Sequence, residues 1–76
     1  QIEDLRLIQQ TSGLDSLSQE LREIAEIRLE NNDMSLQEIG ESLSVPISRS
    51  GVNHRLMKIA KIADEIRNSG GQNGKK

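Results

Sequence analysis

At 76 residues, with no cysteine and no Phe, Tyr or Trp, the chain can form one small domain whose core is built from Leu, Ile, Val, Met and Ala. This excludes a disulfide framework and a thiolate metal site, and apolar runs of no more than two residues exclude a membrane-spanning helix. Net charge is −2 but unevenly placed: residues 1–43 carry ten carboxylates against three arginines, a net of −7, and residues 44–76 carry seven Lys/Arg against two carboxylates, a net of +5.

In chain order, residues 1–10 set Ile2, Leu5 and Ile8 at helical spacing, and Gly13 ends that helix. Gln1 falls inside this pattern without a starting Met, so the chain is expected to be a segment of a longer protein. In "LDSLSQELREIAEIRLENND" either Ser16 or Ser18 caps a second helix whose stripe is Leu21, Ile24, Ala25 and Leu29, broken by Asn31-Asn32-Asp33. Arg28 falls on that stripe, which predicts a partly buried guanidinium paired with a carboxylate. "SLQEIGESL" holds a capping box, Ser35 with Glu38, and puts Leu36, Ile39, Leu43 and Gly40 on one side; a glycine there permits close approach of a crossing helix. Pro46 interrupts the chain, and Ser48 caps a last helix running to about Arg67. "SGGQNGKK" has nothing to bury, so the expected division is a helical domain over 1–67 and a disordered tail over 68–76. With no strand pattern, repeat or heptad array, the fold class is all-α, a small four-helix domain.

The last two helices, joined by a short proline turn, have the outline of a helix-turn-helix, whose second helix enters the DNA major groove. With Val52 at zero and about 100° per residue, Val52, Leu56, Ile59, Ala63 and Ile66 face inward, while Ser50, Asn53, His54, Met57 and Lys61 face out. Arg49, Arg55 and Lys58 flank the two sides. This pattern suits a duplex. Asn pairs bidentately with adenine, His and Ser donate to or accept from base edges, and Arg and Lys neutralise phosphates. Gly51, lacking a side chain, lets the backbone approach the groove wall. Confining positive charge to one helix then follows from one helix touching the polyanion, with the acidic half turned away.

From Ser35 to Arg67 the sequence "SLQEIGESLSVPISRSGVNHRLMKIAKIADEIR" resembles the C-terminal domain of WhiA, a family of bacterial sporulation and cell-division regulators. "ISRSGVNHRL" is the most specific part, "LREIAEIRLEN" fits the same domain, and the resemblance covers residues 1–67. It implies a helix-turn-helix related to region four of bacterial sigma factors, binding double-stranded promoter DNA in transcription regulation. It also implies a parent protein with an N-terminal domain similar to LAGLIDADG homing endonucleases, lacking nuclease activity and absent from this chain. The family's DNA-contacting stretch falls on Arg49, Ser50, Gly51, Asn53, His54 and Arg55, with Lys58 and Lys61 added as phosphate contacts from the face analysis. Arg49 stands where the family more usually has Lys; both reach a phosphate, and Arg also grips guanine. The stretch from Gly40 to Val52 is slightly longer than in sigma region four, so sigma contacts do not transfer position by position.

Other readings of the same residues are blander. His54, the only histidine, lacks the partners of a metal ligand or a general base, and competes only with an idle surface histidine. Asn53 is also an ordinary exposed helix residue, Ser50 an assistant to the cap, and Lys58 and Lys61 solvated cations. Met57 meets either a thymine methyl or another domain. There is no nucleophile–base pair, glycine-rich phosphate loop or metal-ligand cluster, so neither enzyme activity nor a cofactor is expected. A cytoplasmic, nucleoid-associated location is expected, with no membrane partner. The alternative function is a protein-interaction module whose acidic face over 20–41 meets RNA polymerase, a sigma factor or another co-regulator.

Overall fold

The computed structural model describes residues 2–71. It consists of α1 (Ile2–Thr11), a 3-10 turn (Leu14–Ser16), α2 (Gln19–Glu30), α3 (Leu36–Ser42) and α4 (Arg49–Gly71). No strand occurs among the described residues, so the fold is the all-α, four-helix arrangement the periodicity predicts.

Each boundary has a local cause. The Thr11 hydroxyl donates to the Leu7 carbonyl at 2.6 Å, and the Gly13 N–H donates to the Ile8 carbonyl at 2.7 Å. Gly13 sits at φ 83°, a conformation L side chains rarely adopt, so glycine is what lets α1 stop there. Of the two candidate caps for α2, Ser18 accepts from the Leu21 N–H, while the Ser16 hydroxyl is turned back to the Gly13 carbonyl at 2.7 Å. The capping box at α3 forms: Ser35 Oγ accepts from Glu38 N–H at 3.1 Å and Glu38 Oε1 from Ser35 N–H at 2.8 Å. Arg28 is half-buried as the stripe predicts, and its guanidinium donates to the Met34 carbonyl at 2.6 Å and the Asn32 carbonyl at 3.4 Å. It thereby clamps the loop between α2 and α3.

The core gathers around α4. Its inward positions Val52, Leu56, Ile59 and Ala63 are buried against Leu5 and Ile8 of α1, Ile24 and Ala25 of α2, and Ile39 of α3 with Leu43 just beyond it. Ile66 is half-buried at the edge. Each fully buried Leu or Ile contributes about 1.5–3 kcal/mol, so without aromatic side chains a few aliphatic contacts along α4 carry the domain. At its far end, Arg67 donates to Asp4 at 2.6 Å and Asp64 at 3.1 Å, tying α4 to the start of α1. The helix continues four residues past its expected end at Arg67. Residues 68–71 contain no proline to stop it. The rest of the expected tail, 72–76, lies outside the described residues.

Gly40 sets how α3 meets α4. A Cβ at this position would run into the Ile47 carbonyl oxygen and come within 3.1 Å of Val52 Cγ2. The Ile47 N–H donates to the Gly40 carbonyl at 3.2 Å, so the two backbones are bound where they touch. The close approach expected at Gly40 is thus made by the turn itself and by the first turn of α4. Gly51 differs, since a Cβ there would meet only the Ile47 side chain, Cδ1 at 3.3 Å. Gly40→Ala should destabilise the domain by about 1–3 kcal/mol, because backbone cannot yield and the helix-propensity gain returns at most about 1 kcal/mol. Gly51→Ala should be neutral or stabilising by up to about 1 kcal/mol. Circular-dichroism melts of the two variants compare them, and equal losses would contradict this account of the turn.

Candidate nucleic-acid interface

The turn presents the first half of α4 to solvent. The Ser48 hydroxyl accepts from the Gly51 N–H at 3.2 Å, and its carbonyl accepts from the Val52 N–H at 3.0 Å, starting α4 where Pro46 has ended the preceding run. α1, α2 and α3 each carry a carboxylate in the first turn, where the positive end of the helix dipole favours it; α4 carries none and has Arg49 there instead. The first carboxylate of α4 is Asp64, so from Arg49 to Ala63 the helix holds cations and neutral groups only. Electrostatically, this end of the domain is left unneutralised.

Ser50, Asn53, His54, Met57, Lys58 and Lys61 are all exposed, opposite the buried Val52, Leu56, Ile59 and Ala63. Arg49 is exposed at the margin. Among the described residues, Arg49, Lys58 and Lys61 take part in no ion pair. The Ser50 hydroxyl lies 3.2 Å from the Ser48 hydroxyl, and the Asn53 amide nitrogen donates to Met57 Sδ at 3.7 Å. Asn53 retains a second N–H and its carbonyl oxygen, the two groups a bidentate pair with adenine uses.

Two sequence candidates stand apart from this group. The position a Cβ would take on Gly51 lies against the Ile47 side chain, with Cδ1 at 3.3 Å, and not on the outer face of α4. Arg55 is half-buried and points toward α2, with Nη2 3.9 Å from Glu20 Oε2. Beside it, Glu23 Oε2 accepts from both the Ser44 N–H at 2.9 Å and the Ser44 hydroxyl at 2.6 Å. These bonds, with a smaller contribution from Arg55, hold the Glu23 carboxyl below its usual value of 4.5. Sequence reasoning missed this latch, because nothing local links residues 21 apart. Among the described residues no group of three His, Asp or Glu is placed to hold a metal ion, and no helix is long and apolar enough to cross a membrane.

Comparison with known proteins agrees with this geometry. The WhiA C-terminal HTH domain family matches residues 1–63. The chain is 58% identical over 71 residues to the probable cell division protein WhiA of Lachnospira eligens, covering 93% of this chain and 22% of that protein. It is 54% identical over 68 residues to the probable cell division protein WhiA of Staphylococcus haemolyticus, covering 88% of this chain and 22% of that one. The chain thus spans about a fifth of the length of these relatives. No solved structure matches it.

The latch has a pH signature. A carboxyl whose folded value is depressed contributes stability that is fully present above its unfolded value and is lost as pH falls through the folded one. Glu23→Gln should therefore lower stability at pH 7 by about 1 kcal/mol, the worth of a charge-assisted hydrogen bond discounted for partial exposure. The gap to wild type should close as pH drops below 4.5. Thermal melts from pH 3 to 7 check this, and a gap that stays constant across that range would contradict it.

Proposed function

The chain belongs to the WhiA C-terminal helix-turn-helix family, and on that footing we propose that it binds double-stranded DNA sequence-specifically as the DNA-binding domain of a bacterial transcription regulator. In this reading α4 lies in the major groove from Arg49 to Lys61. The observation that carries it is the outer face of α4, where hydrogen-bonding side chains on an exposed helix sit among cations and the helix itself holds no carboxylate before Asp64. Asn53, His54 and Ser50 meet base edges, and Arg49, Lys58 and Lys61 rest on phosphates. Arg55 joins them by giving up Glu20, a pair at 3.9 Å near the protein surface worth about 0–1 kcal/mol and so cheaply exchanged. The roles in sporulation and cell division, a cytoplasmic nucleoid-bound location and a LAGLIDADG-like companion domain belong to the whole protein in this proposal.

A second reading has one observation in its favour. The end of α2 and the start of α3 form an open cleft lined by Glu30, Asp33, Glu38 and Glu41, which suits a basic protein surface on RNA polymerase or a co-regulator. Amide shift mapping with duplex DNA separates the two, because changes centred on 30–41 rather than on 48–61 would favour the cleft.

With four cations on phosphates, log affinity should fall against log salt with a slope of roughly −4. Lys61→Ala should weaken every duplex alike and reduce that slope by about 1. Asn53→Ala and His54→Ala should cost about 1–3 kcal/mol on the preferred site and little on a scrambled one. Fluorescence anisotropy on both duplexes at several salt concentrations measures all three, and equal loss on both from Asn53→Ala would overturn its assignment to a base.

A further inference from the structure

Met57 is 62% exposed, one of two large hydrophobic residues so exposed among the described residues. The other, Val45, sits beside Pro46 in the turn, where the chain has little choice of direction. Met57 has no such excuse. It stands in the middle of a regular helix, on the side opposite Val52 and Ile59, among Asn53, His54, Lys58 and Lys61. A single exposed apolar residue is ordinary on a protein surface; what distinguishes Met57 is its place among the hydrogen-bonding and cationic side chains of the outer face, coupled to one of them.

Its nearest polar neighbour indicates what covers it. The Asn53 amide donates to Met57 Sδ at 3.7 Å across one helical turn, so the two side chains form one composite surface. Half of that surface is a carboxamide with a free N–H and a free oxygen; the other half is a flexible, polarizable apolar tip. In the major groove, adenine offers an acceptor and a donor side by side, and thymine offers a C5-methyl group, the one apolar feature the bases present there. An amide coupled to a thioether matches adjoining adenine and thymine features, whereas a phosphate rail or a cationic surface would leave the thioether unused.

We propose that Met57 is a specificity-determining residue that reads a thymine C5-methyl group next to the base engaged by Asn53. This rests on the reading of α4 as the groove helix. Because Met57 is exposed and lies outside the core cluster, its substitution should leave the fold intact, and the methyl can also be removed from the DNA without altering the protein.

The test starts from duplexes enriched by the wild-type chain from a randomised pool. Each thymine of the enriched site is then replaced singly by deoxyuridine, which deletes the methyl and keeps the base pair. For wild type, one such replacement should weaken binding about fourfold, the worth of one buried methyl-sized group. Met57→Ala should bind the unmodified site correspondingly less tightly and lose its response at that one position, and that position should adjoin the one where Asn53→Ala loses base preference. A scan in which wild type and Met57→Ala respond alike at every thymine overturns the role of Met57 and leaves the groove reading of α4 standing; Met57 is then covered by protein. A pool from which no site is enriched overturns both.

Discussion

The contact on which the rest of this structure depends is backbone against backbone, at Gly40 and Ile47. The Ile47 N–H donates to the Gly40 carbonyl, and the Ile47 carbonyl occupies the space a Cβ on residue 40 would fill. Side-chain packing tolerates rearrangement; a carbonyl fixed by its own peptide does not. This contact sets how closely the turn and the first turn of α4 lie against α3. Pro46 and the Ser48 cap complete the turn, and the Glu23–Ser44 latch holds it against α2 from the other side. Four chemically different devices thus fix one short connection, as expected if function requires a helix aimed in one direction.

The aliphatic core makes that aim rigid by giving α4 two tasks. Its inner stripe lies at the centre of the buried cluster and touches all three other helices. The same helix, turned by half, supplies the exposed face. A rotation of α4 that would misdirect Asn53 or His54 would also pull Val52 and Ile59 from contacts they cannot replace, because the chain has no aromatic residue to fill a gap. Orientation of the outer face and cohesion of the core are therefore the same physical constraint.

What could be read from the sequence and what could not divide along range. Periodicity placed Leu5, Ile8, Ile24, Ile39 and Val52 inward, and caps placed Ser35 with Glu38 and Ser48 with the start of α4, because those rules act within four residues. The 3-10 turn at Leu14–Ser16 was not legible, since three residues carry no period. Nor were the polar ties across the fold, Glu23 to Ser44 and Arg67 to Asp4, which join segments 21 and 63 residues apart. Two site residues take their setting from neighbours, one across the fold and one within the turn. Arg55 has the flanking angle the helical wheel gives it, but Glu20 draws it toward α2; Gly51 turns its vacant side to Ile47. The wheel supplies an angle, and the neighbours decide what it means.

The electrostatic layout then separates stability from recognition. Of the cations at or beside the outer face, only Arg55 contacts a carboxylate among the described residues, at 3.9 Å and near the protein surface, where such a pair is worth about 0–1 kcal/mol. The ion pair that links α4 to α1, Arg67 to Asp4, lies at the far end of α4 and away from Asn53 and His54. A polyanion laid along Arg49 to Lys61 would therefore satisfy charges the fold has left unpaired, without breaking an ion pair the fold requires. The same layout leaves Ser50, Asn53, His54, Met57, Lys58 and Lys61 free to vary at little cost to the core, since exposed substitutions away from special contacts stay within about 0.5 kcal/mol. One scaffold held by Gly40, Ile47 and the stripe of α4 can in this way carry different outer faces.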